Sequence, residues 1–301
     1  MVGADPLRAR HDDAIALLLA GHNPGLDLLG VSVVSGNQTI EKTTVNALSI
    51  CQYLGINVPV AMGAEKPLQK PAMICPEIHG ASGLDGVTFP PLTKKLDPRQ
   101  GYELIIDLCL SHQGVILVPT GPLTNIALAL KHEPKIKDHI AKIVLMGGSM
   151  GFGNVTPAAE FNILVDPEAA EIVFASGLPI YMNGLDVTRE VLVHHSIIER
   201  MDQVDNKASR FFHAIGSVAS PYAITTTYDT IALNFLYGHS NIPAVSLPTT
   251  TKRIACSATL SGLEVLVLPQ TAELITIDAA SLACFPASLT VKVPEGKLSL
   301  Y

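Results

Sequence analysis

Asp12 and Asp13 stand side by side, with His11 before them, directly ahead of the apolar run 14–20 in RARHDDAIALLLAGHNPG (residues 8–25). Two carboxylates this close repel, and the repulsion raises the pKa of one unless a partner keeps both charged. A cap on the free N–H groups of a helix start would supply such a partner. So would a hard cation or the hydroxyls of a polyhydroxylated ligand. Other acids and amides fall at comparable places: Asn37 in SGNQT, Thr120 in TGPLTN, Asn154, Glu160 and Asn162 in GGSMGFGNVTPAAEFNILVDPEAA, and Asp186 in GLDVT. Few of these places offer Lys or Arg. Carboxylates with a backbone carbonyl suit Ca²⁺ or Mg²⁺, and Asn and Asp pair well with vicinal sugar hydroxyls. A phosphate site would need cationic groups or a clean glycine fingerprint. GGSMGFG has neither the lysine nor the spacing.

Each residue also has a plainer reading. Asp12 is as good an N-cap as a ligand, and Asn37 is a common turn residue. Asp166 and Glu168 flank Pro167 as an ordinary helix start and are left outside the site. Glu160 and Asn162 flank Phe161 inside what reads as a loop, where the pattern gives them no structural task. His79, in EIHGASGLDG, lies in a long Gly-rich connection. There it is either a solvated loop histidine or a side chain that moves over a site.

These positions matter because of the elements that precede them. Short, nearly continuous apolar runs at 28–34, 57–62, 114–119, 142–147 and 178–183 read as strands buried on both faces. Helix-like segments at 12–22, 41–54, 101–112, 123–132 and 167–176 alternate with them; Leu104, Ile105, Leu108 and Cys109 form a core-facing stripe. Such alternation predicts an α/β fold with a mostly parallel central sheet flanked by helices. Ligands bind such sheets beyond the C-terminal ends of the strands, which is where the acids and amides fall. After residue 240 the texture turns rich in Ser, Thr, Ala and Pro, with short strand-like runs that the pattern does not place.

The 301 residues are 48% hydrophobic and carry a net charge of −7, enough apolar material for a large core. The whole chain, 1–301, is read as a single domain. The acidic balance and the lack of a basic stretch argue against nucleic acid as a partner. The run 14–20 is too short to span a bilayer. It follows two aspartates where a signal peptide would want positive charge. The expectation is a cytoplasmic protein with no membrane partner. The five cysteines form no metal-binding spacing and read as reduced thiols.

HDDAIALLLA, SGNQTIEKT, IHGASGLDG, VPTGPLTNIALAL, IVLMGGSMGFGNVTPAAEFNILVDPEAAEIVFASGLP and GLDVT, in this order over about residues 10–205, resemble the nucleoside hydrolases. These are Ca²⁺-dependent N-ribohydrolases that prefer pyrimidine nucleosides or inosine and uridine. The resemblance implies hydrolysis of the N-glycosidic bond of a small-molecule ribonucleoside, uridine or cytidine first and inosine next, to free base and ribose by a Ca²⁺-bound water. Carried over by position, it implies Asp13 and the Thr120 carbonyl as Ca²⁺ ligands. Asp12, Asn154, Glu160 and Asn162 would hold the ribose, Phe161 would lie among them, and Met146 would pack beneath it. Asn37 would lie near the reacting water and the sugar, and His79 would close over the base. Homotetramers or homodimers are implied as well.

Two stretches depart from the family pattern. The family opens with a strand and D-x-D-P-G-x-D-D, whose second Asp is both a calcium ligand and the presumed base. A gapless alignment puts Arg8 there, and an arginine neither binds Ca²⁺ nor acts as a base near neutral pH. Pairing Asp5-Pro6 with the family's Asp-Pro restores the carboxylate, at the cost of LRAR where one Gly should be. Toward the other end, YDTIALNFL places Asp229 at the last calcium-binding Asp and Tyr228 at the histidine before it. Tyr228 is a weaker proton donor to a leaving base, and Tyr222 is a candidate base contact. Two functional readings follow: an active hydrolase using Asp5, or a catalytically inactive relative that binds ribose or ribosides.

Overall fold

The computed structural model describes residues 12–76, 82–84, 87–189, 192–193, 199–201, 203–216, 225–226, 263–269, 289–293 and 296–300. Its elements, in chain order, begin with α1 (Asp12–His22), β1 (Leu26–Val33), α2 (Ile40–Leu54), β2 (Val60–Met62) and α3 (Gly101–Ser111). Next come β3 (Val115–Pro119), α4 (Thr124–His132), a 3₁₀ turn at Pro134–His139, β4 (Ile140–Met146), α5 (Phe161–Val165) and α6 (Pro167–Phe174). They are followed by β5 (Ile180–Asn183), α7 (Leu185–Thr188), β6 (Leu192–Val193), α8 (Lys207–Gly216), β7 (Thr225–Thr226), β8 (Leu263–Pro269), β9 (Leu289–Val293) and β10 (Gly296–Leu300).

Alternation within the strands shows why their apolar runs are unbroken. Ile116 and Val118 of β3 and Val144 of β4 join a cluster with Ala14, Leu17, Ala47 and Ile50 of α1 and α2. Their sequence neighbours Val115, Leu117, Ile143 and Leu145 join a second cluster with Ile105, Cys109, Ile126 and Val173 of α3, α4 and α6. Successive strand side chains point to opposite faces, so a strand with helices on both sides needs apolar residues at every position. The result is three layers, with α1 and α2 on one face and α3, α4 and α6 on the other.

The main sheet has six strands in the order β2-β1-β8-β3-β4-β5. β1 pairs with β2, β3 with β4, and β4 with β5, all parallel. β8 runs antiparallel between β1 and β3, placing Val265 opposite both Val31 and Val118. The five expected strands thus share one direction, and a strand from the tail that the sequence pattern left unplaced sits at the centre. β9 with β10 and β6 with β7 form separate antiparallel pairs. No helix among the described residues is long and apolar enough to cross a membrane.

Helix ends follow local chemistry. α3 opens with a capping box in which Gln100 N donates to Glu103 Oε2 at 2.8 Å. α2 stops at Gly55, whose φ of 76° lets its N–H reach the Cys51 and Gln52 carbonyls. The expected segments differ from the observed ones by a few residues at their ends, where helices and strands fray. Buried Asn125 of α4 locks the sheet behind the site: Nδ2 donates to Ser32 Oγ and the Val33 carbonyl, and Oδ1 accepts from Ala64 N. A Cβ on Gly63 would lie 2.3 Å from the Asn125 Nδ2, so this close approach requires glycine.

Candidate active site

Asp13, Thr120, Met146 and Asn162 come from four elements and meet beyond the C-terminal ends of β3 and β4. Asp13 lies in the first turn of α1 and is buried. Its Oδ1 accepts from Thr120 Oγ1 at 3.3 Å. Thr120, fully buried, directly follows β3. Its carbonyl accepts from Asn162 Nδ2 at 2.7 Å, and the Met146 carbonyl at the end of β4 accepts from the same nitrogen at 3.2 Å. Met146 Sδ is 3.4 Å from that nitrogen. Two carbonyls can only accept, so the amide nitrogen must face them and Oδ1 is turned away as an acceptor.

Sequence reading places Glu160 and Asn162 in a loop, but the structure gives both a structural task. Phe161–Val165 is a short helix with Glu160 as its N-cap. Glu160 Oε2 accepts from Ile163 N at 3.2 Å and from Gly148 N at 2.9 Å. Burial pushes the carboxyl above its usual range, against the opposing pull of backbone N–H donors at Asn162, Gly148, Ile163 and Phe161. Gly148 itself has a φ of 76° and reaches that carboxylate where a β-carbon would press on Met182 Sδ. A helix of 5 residues offers little periodicity, which is why the pattern reads as loop.

The remaining positions frame this centre. Asn154 Oδ1 accepts from Phe161 N at 2.9 Å. Phe161 packs with Cys75, Val165 and Met73. Asn37, half-buried after β1, accepts through its backbone carbonyl from Cys75 N at 2.9 Å. Asp12 opens α1. Asp5, Arg8, His79, Tyr222, Tyr228 and Asp229, together with the side chain of Asp12, lie outside the described residues. Among the described residues no three His, Cys, Asp or Glu gather as a metal cluster, and two of the four expected calcium ligands, Asp5 and Asp229, fall outside them.

Asp186, a polar residue just after a strand end in the sequence, and Arg189, which the sequence pattern does not single out, both bind the turn 149–153 beside this centre. Asp186 Oδ2 accepts from Met150 N at 2.6 Å, and its Oδ1 accepts from Gly151 N at 2.9 Å. Arg189 donates from Nη1 to the Phe152 carbonyl and from Nη2 to the Gly153 carbonyl, both at 2.9 Å. Opposite charges three residues apart just after a strand end were the available signal.

Acid and amide side chains thus gather around a backbone carbonyl at the C-terminal edge of a largely parallel sheet, the place where α/β proteins bind their ligands. The chain belongs to the inosine-uridine preferring nucleoside hydrolase family, whose profile matches residues 3–262. That span reaches further at both ends than the motifs between about 10 and 205. Pyrimidine-specific ribonucleoside hydrolases RihB of Shigella flexneri and Escherichia coli are 47% identical to it over 206 residues. That alignment covers 68% of this chain and 66% of theirs, so the chain spans about two thirds of the length of these curated relatives. The purine-preferring ribonucleoside hydrolase of Gardnerella vaginalis superposes with a TM-score of 0.70 at 31% identity, covering 84% of each chain. The inosine-uridine preferring nucleoside hydrolase of Bacillus anthracis shares the fold at 21% identity, with a TM-score of 0.61 over 85% of this chain and 87% of that one.

Proposed function

We propose that the chain hydrolyses the N-glycosidic bond of ribonucleosides, with uridine and cytidine preferred over inosine, giving free base and ribose. The observation that carries this reading is the buried linkage of Asp13, Thr120, Met146 and Asn162 in a member of the nucleoside hydrolase family. The pyrimidine preference is supported by the two RihB relatives.

As the glycosidic bond breaks, positive charge develops on the ribose ring, and groups fixed in advance around it stabilise that charge without reorganising. Asn162 is such a group. Two carbonyls hold its nitrogen, so Oδ1 accepts from a ribose hydroxyl in a preset direction. Glu160 brings a buried carboxyl already seated on Gly148 N and Ile163 N. Asn154, held through Phe161 N, and Asp12 complete the sugar contacts, with Phe161 beside them. Met146, nearly fully buried, forms the floor. Asp5 takes the proton from water, Asn37 orients that water, and Tyr228 protonates the departing base. His79 and Tyr222 contact the base.

Ca²⁺ fits the donors present. The Asp13 carboxylate and the Thr120 carbonyl are buried hard oxygens on adjoining elements. The carbonyl takes one hydrogen bond from Asn162 and keeps a second lone pair. Asp5 and Asp229 would add carboxylates. The bound cation supplies Lewis acidity, which eases deprotonation of water beside the sugar.

Arg8, aligned without gaps at a family aspartate, favours a second reading in which the site binds ribosides without cleaving them. Incubation with uridine, cytidine and inosine, followed by assay of released ribose, separates the two. Release from uridine and cytidine supports hydrolysis. Calorimetric binding of ribose without release supports the second reading, and neither binding nor release overturns both.

A further inference from the structure

We propose that Asp186 and Arg189 are positioning residues for the sugar site, a two-sided clamp that fixes the turn 149–154 and through it Asn154. The proposal rests on the hydrolase reading and assigns that site two residues outside its reacting groups.

Consecutive peptide groups of the turn are held in a strict polarity. The carboxylate of Asp186 takes the N–H groups of Met150 and Gly151 and lies 3.4–3.5 Å from the Ser149 hydroxyl. The guanidinium of Arg189 then gives its two Nη donors to the carbonyls of Phe152 and Gly153. Both side chains come from the single turn α7 and its C-cap, which is tied back by Leu185 N to the Gly148 carbonyl. Charge-assisted hydrogen bonds are roughly twice as strong as neutral ones, so four of them on four successive residues make this exposed turn rigid.

The turn needs that support. Met150 and Phe152 are 64% and 78% exposed, so apolar burial does not hold it. Its far side is closed by Gly153 N on the Pro157 carbonyl and Asn154 N on the Ala159 carbonyl. A Cβ on Gly153 would meet the Ala159 backbone at 2.3 Å, so the two limbs touch. Asn154 is therefore the first residue past the clamp, and its Oδ1 already holds Phe161 N. Gly148, the last residue before the clamp, donates to Glu160. Loss of the clamp frees both ends of the segment that faces the sugar. The two side chains are themselves exposed, so their removal leaves the core intact.

The experiment compares Asp186→Ala, Arg189→Ala, Arg189→Lys and Asn154→Ala with Asp186→Ala/Asn154→Ala. The measurements are uridine hydrolysis, D-ribose binding by calorimetry, and hydrogen exchange resolved over 147–174. Expected are retained melting temperatures, faster exchange of amides 150–154 with 164–174 unchanged, and a fall in kcat/KM of about 10- to 100-fold, the scale of an ångström misplacement. Lysine cannot bridge two carbonyls as a planar fork does, so Arg189→Lys behaves as Arg189→Ala. The double variant falls no further than the worse single one, within about twofold, because both act through one group. Unchanged exchange at 150–154 in Asp186→Ala overturns the clamp whatever the activity does, and so does a double variant whose losses multiply. If the parent protein releases no ribose, the hydrolase reading fails. Exchange then still decides whether the clamp holds the turn, and ribose binding takes the place of turnover in the cycle.

Discussion

Glu160 and Asp166 bracket the same short helix, α5, and both are buried carboxyls, yet they are wired differently. Asp166 spreads its donors over both oxygens: Ala169 N on Oδ1 at 3.0 Å, with Leu68 N at 3.0 Å and Thr124 Oγ1 at 2.7 Å on Oδ2. Its partners lie on α6, on α4 and in the connection after β2, so it staples three parts of the chain. Glu160 accepts at Oε2 from Gly148 N and Ile163 N, faces the further backbone N–H groups of Asn162 and Phe161, and keeps a carboxyl pushed above the usual range by burial. A carboxylate tied by three separate parts of the chain is a structural pin, whereas one pushed above the usual range by burial beside a strand end is a candidate for chemistry.

The sharpest way to break this comparison is to neutralise Glu160 without changing its shape. Glu160→Gln keeps an acceptor for Gly148 N and Ile163 N, so the melting temperature stays near the parent's. The charge facing a developing cation is lost, and kcat/KM for uridine falls by about 10²–10³, the cost of losing one preorganised stabilising group. A Glu160→Gln protein with parental kinetics would make Glu160 a cap and nothing more.

Asp166→Ala should do the reverse. It removes an N-cap, costing about 1 kcal/mol, and leaves a buried N–H and a buried hydroxyl unpaired, each costing about 1–3 kcal/mol. A stability loss of about 3–7 kcal/mol in urea unfolding is expected, with kcat/KM per folded molecule within a few-fold of the parent's. A larger kinetic than thermodynamic effect would put Asp166 in the site and erase the contrast.

The smallest effect is in pH dependence. The folded pKa of Glu160 is raised, so between its ordinary value and the folded value the native state holds a proton that the unfolded chain has lost. Its contribution to stability is complete below the ordinary glutamate value and is lost as pH rises through the folded one. With chelator present, the melting temperature of Glu160→Gln minus that of the parent should therefore increase from acid to neutral pH. A flat difference would mean that burial does not raise the carboxyl's pKa.

The layers were legible because they are written locally. The run 114–119 is apolar at every position because β3 is covered on both faces, and Asp166-Pro167 carries the chemistry of a helix start. Thr120, Met146 and Asn162 could be grouped through the family motifs, and the structure brings them together; the hydrogen bonds that join them were not legible, because they cross 42 and 16 residues. The centre of the sheet was hidden for the same reason. LEVLVLP reads as a strand, but its insertion between β1 and β3 depends on pairings with residues more than a hundred positions away. Arg189 was missed because its partners are backbone carbonyls, which leave no trace in side-chain spacing.

In the proposed mechanism Asp12 and Asp13 tolerate each other because Asp13 would face a cation and Asp12 a sugar. The most direct test strips the protein with chelator and titrates Ca²⁺ while following melting temperature and ribose release from uridine, in the parent and in Asp13→Asn. The parent is expected to regain both with Ca²⁺, because a ligand that binds only the native state raises its stability, and Asp13→Asn to regain neither. If the metal moves neither quantity and Asp13→Asn matches the parent, Asp13 binds no calcium and the paired aspartates are a helix cap.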